Sequence, residues 1–194
     1  MNSHHASIRD TFLEAGLWFA QSATKLPGVK RIAVIGSITT ERQNPKDIDF
    51  LVTVSDDADL AALAALGRRL KGRLQSHSHG ADVFLANERG QYIGRTCSWV
   101  LCRAGIRARC DALHCGRRPY LHDDFNTVRL SDSLVAEPPL ELWPVVVRRC
   151  EVLADVERLV AGFDEPHNQR MQRTHSRVTS RAKEQHGPRH AARR

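Results

Sequence analysis

The sequence of this 194-residue protein lacks the features typical of a membrane protein, a disulfide-rich secreted protein or a repeat protein. No apolar run is long enough to cross a bilayer, and the apolar stretch nearest the start, Leu17–Ala20, is too short and lacks the charged leader of a signal peptide. The five cysteines are an odd number, which suits a reducing cytosol better than a disulfide scaffold. No internal repeat is visible. We therefore expect a soluble, cytoplasmic protein without membrane contact.

Acidic residues are fewer than basic ones, and the formal net charge is +7. Residues 164–194 contain eight Lys or Arg and three Asp or Glu, so this segment carries +5 and residues 1–163 carry +2. The segment has almost no apolar residues beyond Met171 and Val178, so it cannot bury enough surface to offset the entropy of ordering. We expect a disordered basic tail, which either binds RNA or DNA with little sequence preference or is a solubilising appendage without a partner.

Two carboxylates lie inside an apolar run at residues 47–54. On an extended strand, side chains alternate between faces, so Asp47 and Asp49 emerge on one side while Ile48 and Phe50 emerge on the other. Two adjacent carboxylates repel each other and lose hydration unless a cation lies between them. This pattern predicts a divalent-metal site.

An earlier apolar run, residues 32–35, ends in Gly36-Ser37. Glycine permits backbone angles that turn amide N–H groups toward an anion, and the serine hydroxyl adds a donor, so the pair suits a phosphate group. Mg²⁺ is usually held by one or two carboxylates together with substrate phosphates. The dipeptide and the carboxylates therefore fit one ligand, a nucleotide bound to Mg²⁺ or Mn²⁺.

The order of these motifs resembles the DNA polymerase beta-like nucleotidyltransferase superfamily. Its signature is an apolar strand, Gly-Ser, a spacer, Asp-x-Asp in the next strand and a third carboxylate on a later strand, which here is Asp82 within residues 80–86. The resemblance implies that Asp47 and Asp49 hold the metals that bridge the phosphates. It also implies that Asp82 binds the metal nearer the acceptor and helps to deprotonate its hydroxyl, while Gly36 and Ser37 hold the terminal phosphates.

The fold class implied is α/β (α+β), a mixed β-sheet with helices on one face. We expect a nucleotidyltransferase-like core at residues 1–90, a small irregular extension at 91–163 that completes the domain, and the tail at 164–194. The predicted elements are helices at 6–23, 56–74 (capped by Ser55-Asp56) and 155–163, and strands at 31–35, 47–54, 82–86 and 127–130. The helix at 56–74 is the crossover that returns Asp82 beside Asp47 and Asp49.

The chain departs from the superfamily pattern after Gly-Ser. Many members continue with an Arg-x-x-Gly-type segment, which residues 38–45 lack, so Arg42 and Lys46 are the substitutes for phosphate contact. The first hypothesis is an enzyme that moves a nucleoside monophosphate from an NTP to an acceptor hydroxyl on protein, RNA or a small molecule. The alternative is a catalytically weak or inactive regulatory module, such as a toxin–antitoxin component, that uses the fold to bind a protein partner.

Two further clusters have both a functional and a structural interpretation. Four cysteines could hold one zinc ion, but their spacing lacks the close pairs of a zinc knuckle, and buried cysteines are the alternative. They are Cys97, Cys102, Cys110 and Cys115. The basic end of the helix predicted at 56–74 is either a nucleic-acid contact or a solvated helix terminus. Its residues are Arg68, Arg69, Lys71 and Arg73.

Overall fold

The structure is a computed structural model that describes residues 7–42, 44–75, 79–98, 118–123, 125–161 and 163. These ranges contain four α-helices, a short 3₁₀ helix and seven strands. In chain order they are α1 (Ile8–Ala23), β1 (Val29–Ile35), the 3₁₀ helix Ser37–Thr39, β2 (Asp47–Val54), α2 (Leu60–Gln75), β3 (Gly80–Ala86), β4 (Tyr92–Thr96), β5 (Leu121–His122), α3 (Asp132–Ala136), β6 (Leu140–Trp143), β7 (Val147–Arg148) and α4 (residues 154–161).

All seven strands join one mixed sheet in the order β5-β4-β3-β2-β1-β6-β7. Strands β2 and β3 run parallel, and α2 connects them, while each of the other described neighbours is antiparallel. A parallel pair needs such a crossover, because a tight turn reverses the direction of the chain and therefore joins only antiparallel strands. The predicted mixed α/β sheet is therefore confirmed.

The sheet has a hydrophobic core on each face. On one face, buried residues of β1, β2 and β3 pack against α1, α2 and α4, with Phe12, Phe19 and Phe50 fully buried. On the other face, a smaller cluster contains Ile35, Leu51 and Phe84, and it includes a residue of α3. The expectation that helices lie on one face is therefore correct for α1, α2 and α4 but not for α3.

The predicted start of the second helix is wrong for a local reason. Helix α2 begins at Leu60 instead of residue 56, because the chain first makes a turn in which the amide of Ala58 donates to the Ser55 carbonyl. The Asp59 side chain then accepts from the amide of Ala61, so Asp59 replaces the predicted Ser55-Asp56 cap.

The predicted strand at 127–130 is also wrong. Residues 127–130 form a turn and irregular backbone without strand pairing. The alternation that suggested a strand has another cause, since Val128 and Leu130 pack against the smaller core. Burial on one side is enough to produce this pattern.

Helix α1 begins one residue after Ser7, which forms a capping box with Asp10. The helical residues near the end of the described chain, 154–161 and 163, agree with the helix predicted at 155–163. None of the helices in the described ranges is both long and apolar enough to span a membrane. The predicted tail, residues 164–194, lies outside the described residues.

Candidate functional site

The three predicted carboxylates lie on adjacent strands and on one face of the sheet. Asp47 and Asp49 alternate along β2 with buried Ile48 and Phe50, as the strand pattern predicts. Asp49 is paired in register with Asp82 of β3, and the amide of Asp82 donates to Asp49 Oδ1 at 3.3 Å. The parallel β2–β3 pairing therefore brings the second and third carboxylates side by side.

Gly36 lies directly against Asp49. The register of β1 and β2 pairs Ile35 with Asp49, and Gly36 follows with a φ of 80°. A Cβ placed on Gly36 would be 2.9 Å from Asp49 Oδ2, which is closer than side-chain carbons approach. The positive φ favours glycine here, and a side chain at this position would also have to displace the Asp49 carboxylate.

Asp49 lies next to the smaller core, because Leu51, two residues further along the same face of β2, belongs to that core. Burial raises the pKa of Asp49 to about 7, and the charges of Asp47 and Asp82 act in the same direction. The Asp82 amide and the charge of Arg95 oppose this rise in pKa without cancelling it. A desolvated group among like charges has its charged form disfavoured, and a bound cation would relieve this.

Asp82 forms ion pairs with two cationic side chains of the protein. Arg95 Nη1 on β4 lies 3.2 Å from Asp82 Oδ2, and Lys71 Nζ on α2 lies 3.8 Å from Oδ1. Arg95 reaches Asp82 because the antiparallel β3–β4 register pairs Arg95 with Phe84, two residues further along the same face. Sequence analysis missed Arg95, although a single arginine inside a short strand is itself a signal of a charge partner.

The segment after Gly36-Ser37 is anchored by Arg9, a second residue that sequence analysis missed. Arg9 is buried, and its guanidinium donates to the carbonyls of Ile38 at 3.0 Å and Arg42 at 2.8 Å. Its Nε lies 2.5 Å from Asp155 Oδ2 on α4. One arginine of the first helix therefore ties the segment beside the carboxylates to the last described helix.

The two residues predicted to substitute for the missing arginine pattern lie close to the start of β2. Arg42 and Lys46 are both exposed on the connection between the 3₁₀ helix and β2. The carbonyl of Lys46 accepts the amide of Gly80 at 3.2 Å, which fixes the start of β2 against β3. Ser37 is half-buried at the first position of the 3₁₀ helix.

The basic end of α2 makes contacts within the protein. Arg68 donates to the carbonyl of Cys97 at 3.1 Å, Lys71 contacts Asp82, and the Arg73 guanidinium lies 4.0 Å from the ring centroid of Trp18. These contacts favour a structural role over a nucleic-acid surface. The predicted zinc ligands Cys102, Cys110 and Cys115 lie outside the described residues, and Cys97 is a buried free thiol.

A divalent cation such as Mg²⁺ is held by several oxygen ligands. Within the part of the chain that the structure describes, no group of three or more His, Cys, Asp or Glu is arranged to hold a metal ion. Asp47 and Asp49 nevertheless offer hard oxygen donors beside the space left by Gly36, and one or two carboxylates with substrate phosphates are the usual Mg²⁺ ligands in nucleotide sites. The donor set therefore fits a cation that arrives with a phosphate ligand.

No family model matches the chain, and comparisons with curated proteins and with solved structures find no match.

Proposed function

We propose that the protein is a divalent-metal-dependent nucleotidyltransferase that transfers a nucleoside monophosphate from an NTP to an acceptor hydroxyl and releases pyrophosphate. The observation that carries the proposal is the strand register, which pairs Asp49 with Ile35 on one side and with Asp82 on the other. This register also places Gly36, with its positive φ, beside the Asp49 carboxylate. The motif order in the sequence, Gly-Ser followed by Asp-x-Asp and a third Asp, is the second support.

In this proposal each polar residue has a distinct role. Asp47 and Asp49 would hold Mg²⁺ or Mn²⁺, and Gly36 and Ser37 would orient the terminal phosphates. When bound, the cation would supply charge neutralisation at the attacking and leaving oxygens. Asp82 would accept the proton of the acceptor hydroxyl and align its oxygen with the α-phosphorus. Positioning of this kind accounts for most of the acceleration in phosphoryl chemistry.

The second candidate is a nucleotidyltransferase-fold regulatory module that binds a protein partner, such as one component of a toxin–antitoxin pair. The contacts of Asp82 favour it, because Arg95 and Lys71 already occupy the carboxylate assigned to the acceptor side.

Label transfer separates the two candidates. The protein is incubated with Mg²⁺, a lysate of the source cell and each NTP labelled on the α-phosphate or the γ-phosphate. An enzyme of the proposed class transfers α-label but not γ-label to an acceptor, because the bond that breaks is the one between the α- and β-phosphates. Transfer of γ-label would indicate a kinase instead.

Variants assign the activity to the site. Asp82→Asn should abolish α-label transfer and largely spare NTP binding, because the third carboxylate acts mainly in the transition state. Asp56→Asn, an exposed carboxylate change outside the site, is the matched control and should be fully active. If all four NTPs bind and no extract yields α-label transfer, the regulatory candidate is the better one.

A further inference from the structure

A buried arginine of α1 anchors the connection between β1 and β2. Residues 40–42 and 44–46 of this connection form neither helix nor strand. Arg9 Nη1 donates to the carbonyl of Arg42 at 2.8 Å, and Nη2 donates to the carbonyl of Ile38 at 3.0 Å. The Arg9 side chain is only 10% exposed, so both bonds form where water competes little for the carbonyls. Arg9 therefore fixes the backbone of the connection at two points.

Asp155 of α4 holds the Arg9 guanidinium in the orientation that these bonds need. Its Oδ2 lies 2.5 Å from Arg9 Nε, and its Oδ1 lies 3.4 Å from Nη2. A guanidinium is planar and its N–H groups form a fixed fork, so contacts at Nε and Nη2 also set the direction of Nη1 toward Arg42. Burial by itself raises the pKa of Asp155, but the hydrogen bond and charge of Arg9 outweigh this and hold the pKa below its ordinary value. Asp155 is therefore charged at neutral pH.

Helix α4 is fixed in turn by the larger core. Val156 and Val160 are fully buried, Leu159 is nearly so, and all three pack in the same cluster as residues of α1 and β2. Apolar packing thus sets the position of Asp155. A series of contacts runs from this core through Asp155 and Arg9 to the backbone of Arg42.

Arg42 is placed to use this anchoring for an anion. Strands β1 and β2 are antiparallel and Ile35 pairs with Asp49, so the connection between them lies at the carboxylate end of the sheet. Arg42 is exposed, while its carbonyl is bonded to Arg9. A guanidinium presents a fork of N–H groups that matches two phosphate oxygens. A side chain on a fixed backbone loses less conformational freedom on binding, so its affinity for the anion is higher.

We propose that Arg9 is a positioning residue of the triphosphate site: held by Asp155, it fixes the backbone of Arg42 so that the Arg42 guanidinium meets a phosphate of the substrate. Arg9 acts through Arg42 and does not itself touch the substrate, because its Nε, Nη1 and Nη2 donate within the protein. The inference rests on the proposed function, since it requires a metal-bound triphosphate beside the carboxylates of β2.

Two binding measurements on the full-length protein test the inference without activity. Mn²⁺ alone, and tripolyphosphate in the presence of Mn²⁺, are each titrated by calorimetry. Asp155→Asn keeps the shape of the side chain and removes the charge that holds Arg9, so tripolyphosphate should bind about threefold to tenfold more weakly. Mn²⁺ affinity should equal that of the wild type, because Asp47 and Asp49 are unchanged. Arg9→Lys keeps the charge but loses the fork, so it should have the same effect.

A double-mutant cycle tests whether the effect passes through Arg42. Arg42→Gln alone should weaken tripolyphosphate binding about tenfold, the effect of losing a hydrogen bond between charged groups. Asp155→Asn added to Arg42→Gln should weaken it no further, because the side chain that Arg9 positions is then missing. Additive losses would overturn the inference, since Asp155 would then act by another route.

Two variants of α4 are controls for charge and for stability. Glu157→Gln removes an exposed carboxylate of the same helix, whose partner is Arg148, and should change neither affinity. Val160→Ala removes buried apolar surface and lowers the free energy of unfolding without changing a charge. While folded, this variant should bind both probes as the wild type does.

Weaker tripolyphosphate binding in Asp155→Asn, with Mn²⁺ affinity unchanged and no further loss in the Arg42→Gln background, would support the inference. Arg42→Gln changes an exposed residue, so it tests the inference even if the variants of Arg9 and Asp155 fail to fold. Unchanged tripolyphosphate affinity in Arg42→Gln, or an equal loss in Val160→Ala and Asp155→Asn, would overturn the inference and leave the proposed function standing. A folded wild-type protein whose Mn²⁺ binding is absent, or is unchanged by Asp49→Asn, would overturn both.

Discussion

The Cβ position of Gly36 lies 2.9 Å from Oδ2 of Asp49, so the turn after β1 and the central carboxylate of β2 occupy one closely packed position. A residue with a side chain would be unfavourable at this position for two reasons. Its Cβ would meet the Asp49 carboxylate, and the φ of 80° is itself unfavourable for a residue with a side chain. A substitution at Gly36 therefore tests backbone strain and steric contact together, and a second glycine separates them.

Gly36→Ala should destabilise the protein by about 2–4 kcal/mol, from the strain of a positive φ and from displacement of Asp49. Gly90→Ala is the comparison at a positive φ without a steric neighbour, since Gly90 has a φ of 73° and nothing within 4 Å of its Cβ position. It should lose only the strain, about 1 kcal/mol, in urea denaturation. Equal losses for both variants would show that the contact with Asp49 is unimportant.

The raised pKa of Asp49 predicts a pH-dependent gain in stability for Asp49→Asn. The pKa rises from 3.8 to about 7 on folding, so the folded state binds this proton more tightly than the unfolded state. The stability this gives is complete below pH 3.8 and is lost as the pH rises through 7. Asn carries no charge at any pH, so the gain in free energy of unfolding from Asp49→Asn should be larger at pH 8 than at pH 5. The difference is at most about 1.4 kcal/mol for each pH unit between pH 5 and the folded pKa of about 7.

Urea denaturation in a chelating buffer at the two pH values measures this difference. Asp56→Asn, which removes an exposed carboxylate outside the site, is the control for the loss of one negative charge. An Asp49→Asn advantage that is the same at pH 5 and pH 8 would contradict the raised pKa.

Metal affinity should depend on the two carboxylates of β2. Asp47→Asn and Asp49→Asn each remove one charge while keeping shape, so Mg²⁺ or Mn²⁺ binding by calorimetry should weaken at least tenfold with the fold intact. Asp56→Asn should bind as wild type does. Undiminished affinity in both site variants would show that the cation binds elsewhere.

Loss of the Arg9 side chain should destabilise the protein far more than loss of an exposed arginine. Arg9→Met removes the partner of Asp155 and leaves two carbonyl acceptors without their donor, at a cost of about 3–5 kcal/mol. Arg158→Met is the control, because its pair with Asp10 is exposed and contributes about 0–1 kcal/mol. Urea denaturation of both variants measures the contrast, and similar losses would mean that the buried position of Arg9 has no special effect.

Truncation after Phe163 should weaken any nonspecific binding of single-stranded RNA. The removed segment carries a formal +5, so the variant should displace fewer counterions and show a shallower dependence of affinity on salt. Fluorescence anisotropy at several salt concentrations measures this slope. A slope equal to that of the full chain would assign the basic surface to residues 1–163.

The strands of the site could be predicted from sequence because alternation is a local signal. The bounds of β2 are those predicted, and its neighbours β1 and β3 begin two residues earlier than expected. In contrast, the contacts of Arg9 and Arg95 follow from register and packing. Arg9 meets a residue 146 positions away, and Arg95 meets Asp82 only because β3 and β4 pair as they do. Local patterns contain no information of this kind.

The bond between Arg9 and Asp155 also orders events during protein synthesis. At about 5–20 residues per second, the ribosome needs roughly 7–30 s to add the residues that separate the two partners. Throughout this interval, Arg9 lacks its carboxylate, and β1 lacks its neighbour β6. The segment beside Asp49 therefore reaches its final arrangement only after α4 has emerged, although Gly36, Asp47, Asp49 and Asp82 are all synthesised before α4.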